Sequence, residues 1–440
     1  LTNRETHRAR RAWDFFWTVR LHLHYITGRA EERLTFDVQP VIGGRMGYAT
    51  HGRQRGVERF MRHYFLTARD VMRLTHVLQP IVLMRLQDQA SDTQPETLAG
   101  PEGFERIAGR LCPVEPVMFA KTPRDMFRML DCARRHDLEL HPLAIQQLIR
   151  NERHAVELRD DPETAQIFLN LLCEPSADET KNVPFWLPIL NETGLLGRLL
   201  PDWSRVVGQM QFDSYHIYTV DEHIIEAVRM MGQIEAGHMA DEIPLAYALA
   251  KDLRSRRALY VAVLLHDIAK GRGGDPSELG ADLALEICPQ LGLDPEETDT
   301  VSWLVLHHLL LSHTAFTRDI DDPRTILDLA DTIQSPERLR LLLLLTIADM
   351  RAVSPKVWNA WKATLLHELF SPVPEVLGGS VAATSGRGGG RRLFAFARVG
   401  GWPRGGVVAQ SQDEGYAVGK RSALLVSGAT GLLCLGILWL

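Results

Sequence analysis

The stretch LLHDIAKGRGGD, from Leu264 to Asp275, decides how the rest of the chain is read. It ends an apolar run on an adjacent His266 and Asp267. A neutral imidazole and an ionised carboxylate are costly to bury unless something cationic binds them, and a divalent metal ion is the simplest candidate.

Working outward, two segments supply what such an ion needs. In YTVDEHIIEAV, His223 opens an amphipathic pattern with Ile224, Ile225 and Val228 on its apolar face, so the imidazole projects from the start of a helix. In RLRLLLLLTIADM, Asp349 ends a stretch so apolar that its helix must be buried on nearly every side. A carboxylate there calls for a metal or an arginine.

The remaining periodicities predict an all-α body. Trp13, Phe16, Trp17 and Leu21 recur at three- and four-residue intervals, and Phe60, Tyr64, Val71 and Leu74 repeat the rhythm. The aromatic stripe is read as core rather than as a cofactor box. His22 and His24, two apart, point different ways on a helix and make a poor ligand pair. Gln87 to Gly103 reads as a loop or linker, and further helices are expected over 124–135, 142–150, 162–172 and 183–196. Strand-like alternation is confined to short pieces around Thr35 and Val117.

With 440 residues the chain can hold two or three domains, and a net charge of -6 gives no general reason to expect nucleic acid. Cys112, Cys132, Cys173, Cys288 and Cys434 form no CxxC pair, which suits a reducing cytoplasm better than a disulfide framework or zinc knuckle.

His, His-Asp and a distal Asp on separate helices resemble the ligand set of the HD phosphohydrolase superfamily. The strings YHIYTVDEH, LLHDIAKGRGGD, WLVLHHLLLSHTA and TIADM look like the uridylyl-removing domain of the bifunctional uridylyltransferase/uridylyl-removing enzymes, which modify the nitrogen-regulatory PII protein. The block containing VERFMRHYFLTARDV resembles the helical region that follows the transferase domain in that family.

The resemblance implies a first shell of His223, His266, Asp267 and Asp349 around Mg2+ or Mn2+, with Asp267 also orienting the attacking water. Of the adjacent His307 and His308 only one can face a given point. The family pattern favours His308, as a ligand to a second ion or a donor to the phosphate, and leaves His307 on the helix surface or behind the ligands; His313 is expected near the rim. Lys270 and Arg272 flank a glycine turn that lets backbone approach a ligand, and are expected to neutralise phosphate oxygens. A plain helix C-cap, with Gly271 ending the helix and Lys270 complementing its dipole, is compatible with the same role. Pro276 stands where the family usually has a histidine, which removes a potential ligand of a second ion and leaves a mononuclear site intact.

The implied substrate is PII carrying UMP on a tyrosine, bound in an open cleft. The expected organisation is a helical scaffold over 1–86, a linker and further helices over 87–200, the HD module over 201–370 and an irregular tail over 371–440. The chain begins at Leu1, and no Gly-Ser followed by paired aspartates is present, so transferase activity is expected to be absent. Nothing resembles the glutamine-sensing ACT domains, so glutamine control is expected to be lost. The Gly- and Arg-rich run 385–406 suggests a shifted reading frame, and the uncharged 423–440 just reaches the ~18 residues of a transmembrane helix, the alternative reading. Two other functions compete: an HD phosphohydrolase of small nucleotides, and an inactive remnant that still binds PII.

Overall fold

Helix starts are written into this chain as Asp-Pro pairs. Asp275, Asp294 and Asp322 each precede a proline, and their carboxylates accept from the backbone N–H groups of Ser277 (2.8 Å), Glu297 (2.8 Å) and Arg324 (2.9 Å). Proline presets the helical φ where no N–H partner exists, and the aspartate satisfies one orphan donor. Pro276 is therefore an exposed first residue of a helix.

The computed structural model of the chain describes residues 2–52, 54–90, 97–173, 186–210, 218–353, 357–378, 392–396 and 407–411. The fold is all-α. Its longer helices are α1 (Asn3–Thr27), α2 (Gly56–Ala90), α3 (Asp125–Arg135), α4 (Pro142–Asn151), α5 (Pro162–Cys173), α6 (Trp186–Thr193), α7 (Val220–Glu235), α8 (Arg256–Leu265), α9 (Pro276–Gln290), α10 (Pro295–His307), α11 (Leu310–Thr317), α12 (Pro323–Ile333), α13 (Pro336–Val353) and α14 (Ala360–Phe370). The chain divides into two units, Leu1–Thr317 with Glu337–His367 and Arg318–Pro336 with Glu368–Leu440.

In the first unit, α1 packs on α2 around Val19, Leu23, Ile42, Phe60 and Met61. On α2, Phe60 and Leu74 are buried as expected and Tyr64 packs against this core. The half of the expected stripe that lies on α1 is largely outside it: Trp13 is 66% exposed and Leu21 55%, whereas Ala12, Val19 and Leu23 are buried. Both sets repeat at helical spacing, so periodicity could not say which one faces inward. Arg69 and Arg73 of α2 donate to the carbonyls of Asn191 and Glu192 at the end of α6, the latter over 2.7 Å, which fastens the N-terminal helices to that turn. Helix α2 runs on to Ala90, beyond the start of the expected loop, and an antiparallel three-stranded sheet follows at Thr97–Ala99, Glu105–Ile107 and Arg110–Cys112. Strand is thus found there and not at Thr35 or Val117; Val117 instead caps a short helix, Met118–Lys121.

Helix α8 is the axis of the half that carries the His266-Asp267 pair. Ala258 to Leu265 are all buried, and α5, α7, α9 and α10 pack against it. Its C-terminal end is held by these neighbours at a defined depth.

The second unit contains α12, which packs on the helix Val373–Leu377, and an antiparallel pair of strands, Arg392–Phe396 and Val407–Ser411, in a tail expected to be irregular. The apolar segment 423–440 lies outside the described residues. Among those described, no helix is long and apolar enough to cross a membrane.

Candidate metal centre

Four elements bring their polar ends to one buried point. His223 lies in the first turn of α7, where its backbone N–H donates to Thr219 over 2.8 Å. Asp349 comes from the last turns of α13, whose Leu341 to Ala348 are buried. His308 caps the end of α10.

His266 and Asp267 stand just past the end of α8, in a tightened turn, rather than on the helix itself. The backbone there bonds three residues back, from Ile268 to Leu265 and from Lys270 to Asp267 (both 3.0 Å), before Gly271 turns the chain at φ 77°. A Cβ at Gly271 would meet the Gln209 amide, which donates to the Lys270 carbonyl (3.1 Å) and accepts from the Gly271 N–H (3.2 Å). Gln209 thus holds the glycine turn, and nothing in its local sequence signals that role.

The donor atoms converge. His223 Nε2 lies 3.0 Å from Asp349 Oδ1, 3.3 Å from His266 Nε2 and 3.5 Å from Asp267 Oδ2. His266 Nε2 lies 3.3 Å from Asp267 Oδ2 and 3.6 Å from Asp349 Oδ1. Donors that each sit about 2.1 Å from a shared ion stand about 3.0–3.5 Å from one another, so these separations suit the edges of one coordination shell. His266 Nδ1 donates to the Val263 carbonyl (2.8 Å) and His308 Nδ1 to that of Val305 (2.7 Å), which leaves each Nε2 lone pair facing the cluster. His223, His266, Asp267 and Asp349 therefore fit a divalent cation by position and donor type, and His266 also by tautomer.

The electrostatics point the same way. Burial pulls the His266 pKa down, but the charges and hydrogen bonds of Asp267 and Asp349 outweigh it and raise the value to about 10. Burial would raise Asp267 and Asp349, yet His266 and His223, with Lys270 at Asp267, hold both far below the ordinary carboxylate range. The site demands positive charge.

Further out, His308 Nε2 is 3.9 Å from Asp267 Oδ1, the other oxygen of that carboxylate. Burial and the neighbouring His266 lower its pKa. His307 is half-buried against Trp303 at 4.7 Å, and His313 is exposed. Lys270 Nζ lies 2.6 Å from Asp267 Oδ2. Arg272 is committed to an ion pair with Asp202, so in this conformation it braces the glycine turn instead of presenting itself to a phosphate. Asp221, beside the site, is also buried: it accepts from Asn191 (3.1 Å) and Gly208 (2.9 Å), while Asn191 accepts from Trp203 (2.8 Å). This polar brace escapes sequence reasoning because its members look like ordinary helix-end residues.

Residues 1–79 match the family model described as GlnD PII-uridylyltransferase, and residues 221–335 match the HD domain model. The chain is 87% identical over 384 residues to a bifunctional uridylyltransferase/uridylyl-removing enzyme of Gluconobacter oxydans (strain 621H), covering 87% of this chain and 40% of that protein. Proteins of the same description from Azospirillum brasilense and Rhodospirillum rubrum are 47% and 43% identical over 401 and 403 residues, covering 89% and 90% of this chain and 42% of each relative. The chain thus spans about two fifths of the length of these relatives.

Proposed function

Because the chain belongs to the family of bifunctional uridylyltransferase/uridylyl-removing enzymes, we propose that its buried His-Asp cluster is a metal-dependent phosphodiesterase site that releases UMP from a uridylylated tyrosine of the PII protein. The observation that carries the reading is the convergence of His223, His266, Asp267 and Asp349, in which each imidazole Nε2 lies 3.0–3.6 Å from the other and from an oxygen of both carboxylates, in a module whose sequence matches the HD domain. These residues would hold Mg2+ or Mn2+. When bound, such an ion supplies Lewis-acid polarisation of a phosphoryl oxygen and a coordinated water acidic enough to ionise near neutral pH.

The chain's own groups divide the remaining work. Asp267 spans the site, one oxygen toward the imidazoles of His223 and His266 and the other toward His308, so it can orient the attacking water. His308, with Nδ1 held by Val305 and its pKa lowered, presents Nε2 as an acceptor for that water's proton. Lys270, beside Asp267, is placed to neutralise phosphate charge as the bond to the tyrosine breaks. A phenolate leaving group, of pKa about 10, requires no strong general acid. Residues 201–370 would form the hydrolytic module and 1–86 its scaffold.

The test is UMP release from uridylylated PII by the purified chain with Mn2+, beside an Asp267→Ala control. Release that vanishes in the control supports the proposal; a folded, helical and metal-loaded chain that releases nothing refutes it and favours a PII-binding remnant.

A further inference from the structure

A second group of metal-binding side chains lies in the three-stranded sheet region. Cys132 and His136 are four residues apart on α3 and its C-cap, so they share one face of the helix end. The Cys132 thiol is buried, whereas His136 and Glu102 are exposed and sit over it. Glu102 is brought there by the turn Pro101–Gly103, in which it takes the left-handed conformation (φ 59°, ψ 29°). One carboxylate oxygen, one imidazole nitrogen and the sulfur lie within 4.8 Å of one another, and His136 Nε2 is 3.5 Å from Glu102 Oε1.

We propose that Glu102, Cys132 and His136 form a second cation site, for a borderline divalent ion of the zinc class, independent of the His223 to Asp349 cluster. The donor types argue for that class: a thiolate with an imidazole favours zinc over magnesium or manganese, which prefer oxygen donors. Closing these three donors to distances of about 2.0–2.3 Å from an ion requires the exposed Glu102 and His136 side chains to move and the buried Cys132 thiol to give up its bond to the Pro101 carbonyl (3.8 Å). Arg135 now holds Glu102, with Nη1 2.5 Å from Oε1, but its Nε is also 2.9 Å from Asp131, so it keeps a carboxylate partner when Glu102 shares its oxygens. Coordination ionises the thiol, and its proton leaves to solvent. The ion would clip the turn after the first strand to the end of α3.

Co2+ distinguishes the two sites, because only a cysteine ligand yields thiolate-to-cobalt charge-transfer absorption. The full chain, stripped with chelator and titrated with Co2+, is expected to show that absorption, to keep it in an Asp267→Asn background and to lose it in Cys132→Ser. His136→Ala, which leaves the core untouched, is expected to weaken Co2+ binding at this site at least about tenfold. Absence of the absorption in the unmodified chain, its persistence in Cys132→Ser, or unchanged affinity in His136→Ala overturns the proposal.

Discussion

Metal binding at the His-Asp cluster should be steeply dependent on pH, and the size of the effect follows from His266. Its pKa stands at about 10 in the ion-free protein, against an ordinary value of 6.5. At pH 7, about three units below that pKa, nearly every ring is protonated and an incoming ion must expel the proton; this weakens binding on the order of 1,000-fold relative to high pH. Apparent affinity for Mn2+ should rise about tenfold per pH unit from pH 7 to 9 and level off near 10, with about one proton released per ion. The sign for stability is opposite. A raised pKa means that His266 stabilises the ion-free fold fully below pH 6.5, and that this contribution is lost as pH climbs through about 10. Calorimetric titration in two buffers of different ionisation enthalpy counts the protons directly. A slope near zero with no proton released would refute the claim that Asp267 and Asp349 hold a proton on His266 in the metal's place.

Other outcomes follow from single contacts. Asp267→Asn should reduce phosphodiesterase turnover by at least about 1,000-fold while leaving the helical circular dichroism intact, because it removes a proposed ligand and the group that faces both imidazoles and His308. Lys270→Ala and Arg272→Ala should part company. The first should lower kcat, whereas the second, losing the ion pair to Asp202, should mainly lower thermal stability, by about 1–2 kcal/mol. Gly271→Ala should destabilise by about 1–3 kcal/mol in denaturant titrations, since φ is 77° there and the new Cβ meets Gln209. Relief of that penalty in a Gly271→Ala, Gln209→Ala double variant would separate the collision from the backbone strain.

Much of the helical architecture was legible locally. The helices expected over 124–135, 142–150 and 162–172 stand at Asp125–Arg135, Pro142–Asn151 and Pro162–Cys173, whereas the Asp-Pro starts of α9, α10 and α12, satisfied by hydrogen bonds within two or three residues, are an equally local signal from which no helix was expected. The wrong reading of the α1 part of the aromatic stripe has the complementary cause. Trp13 and Leu21 share a helical rhythm with buried Val19 and Leu23, and only the packing of α2 selects between the two faces. The strands at 97–112 were hidden because three-residue strands offer too little alternation to register.

At the site the same division holds. The sequence by itself determined which side chains were chemically out of place: a His-Asp pair closing an apolar run and a carboxylate at the end of a leucine-rich helix, both of which oppose burial without a cation. It also determined that Gly271 could turn the chain. Only the tertiary structure decided that the pair stands beyond α8 and that Arg272 is spent on Asp202. Those are outcomes of helix packing around α8, where distances between residues far apart in the chain are set by side-chain volume and by remote braces such as Gln209 and Asn191, and no local pattern encodes them.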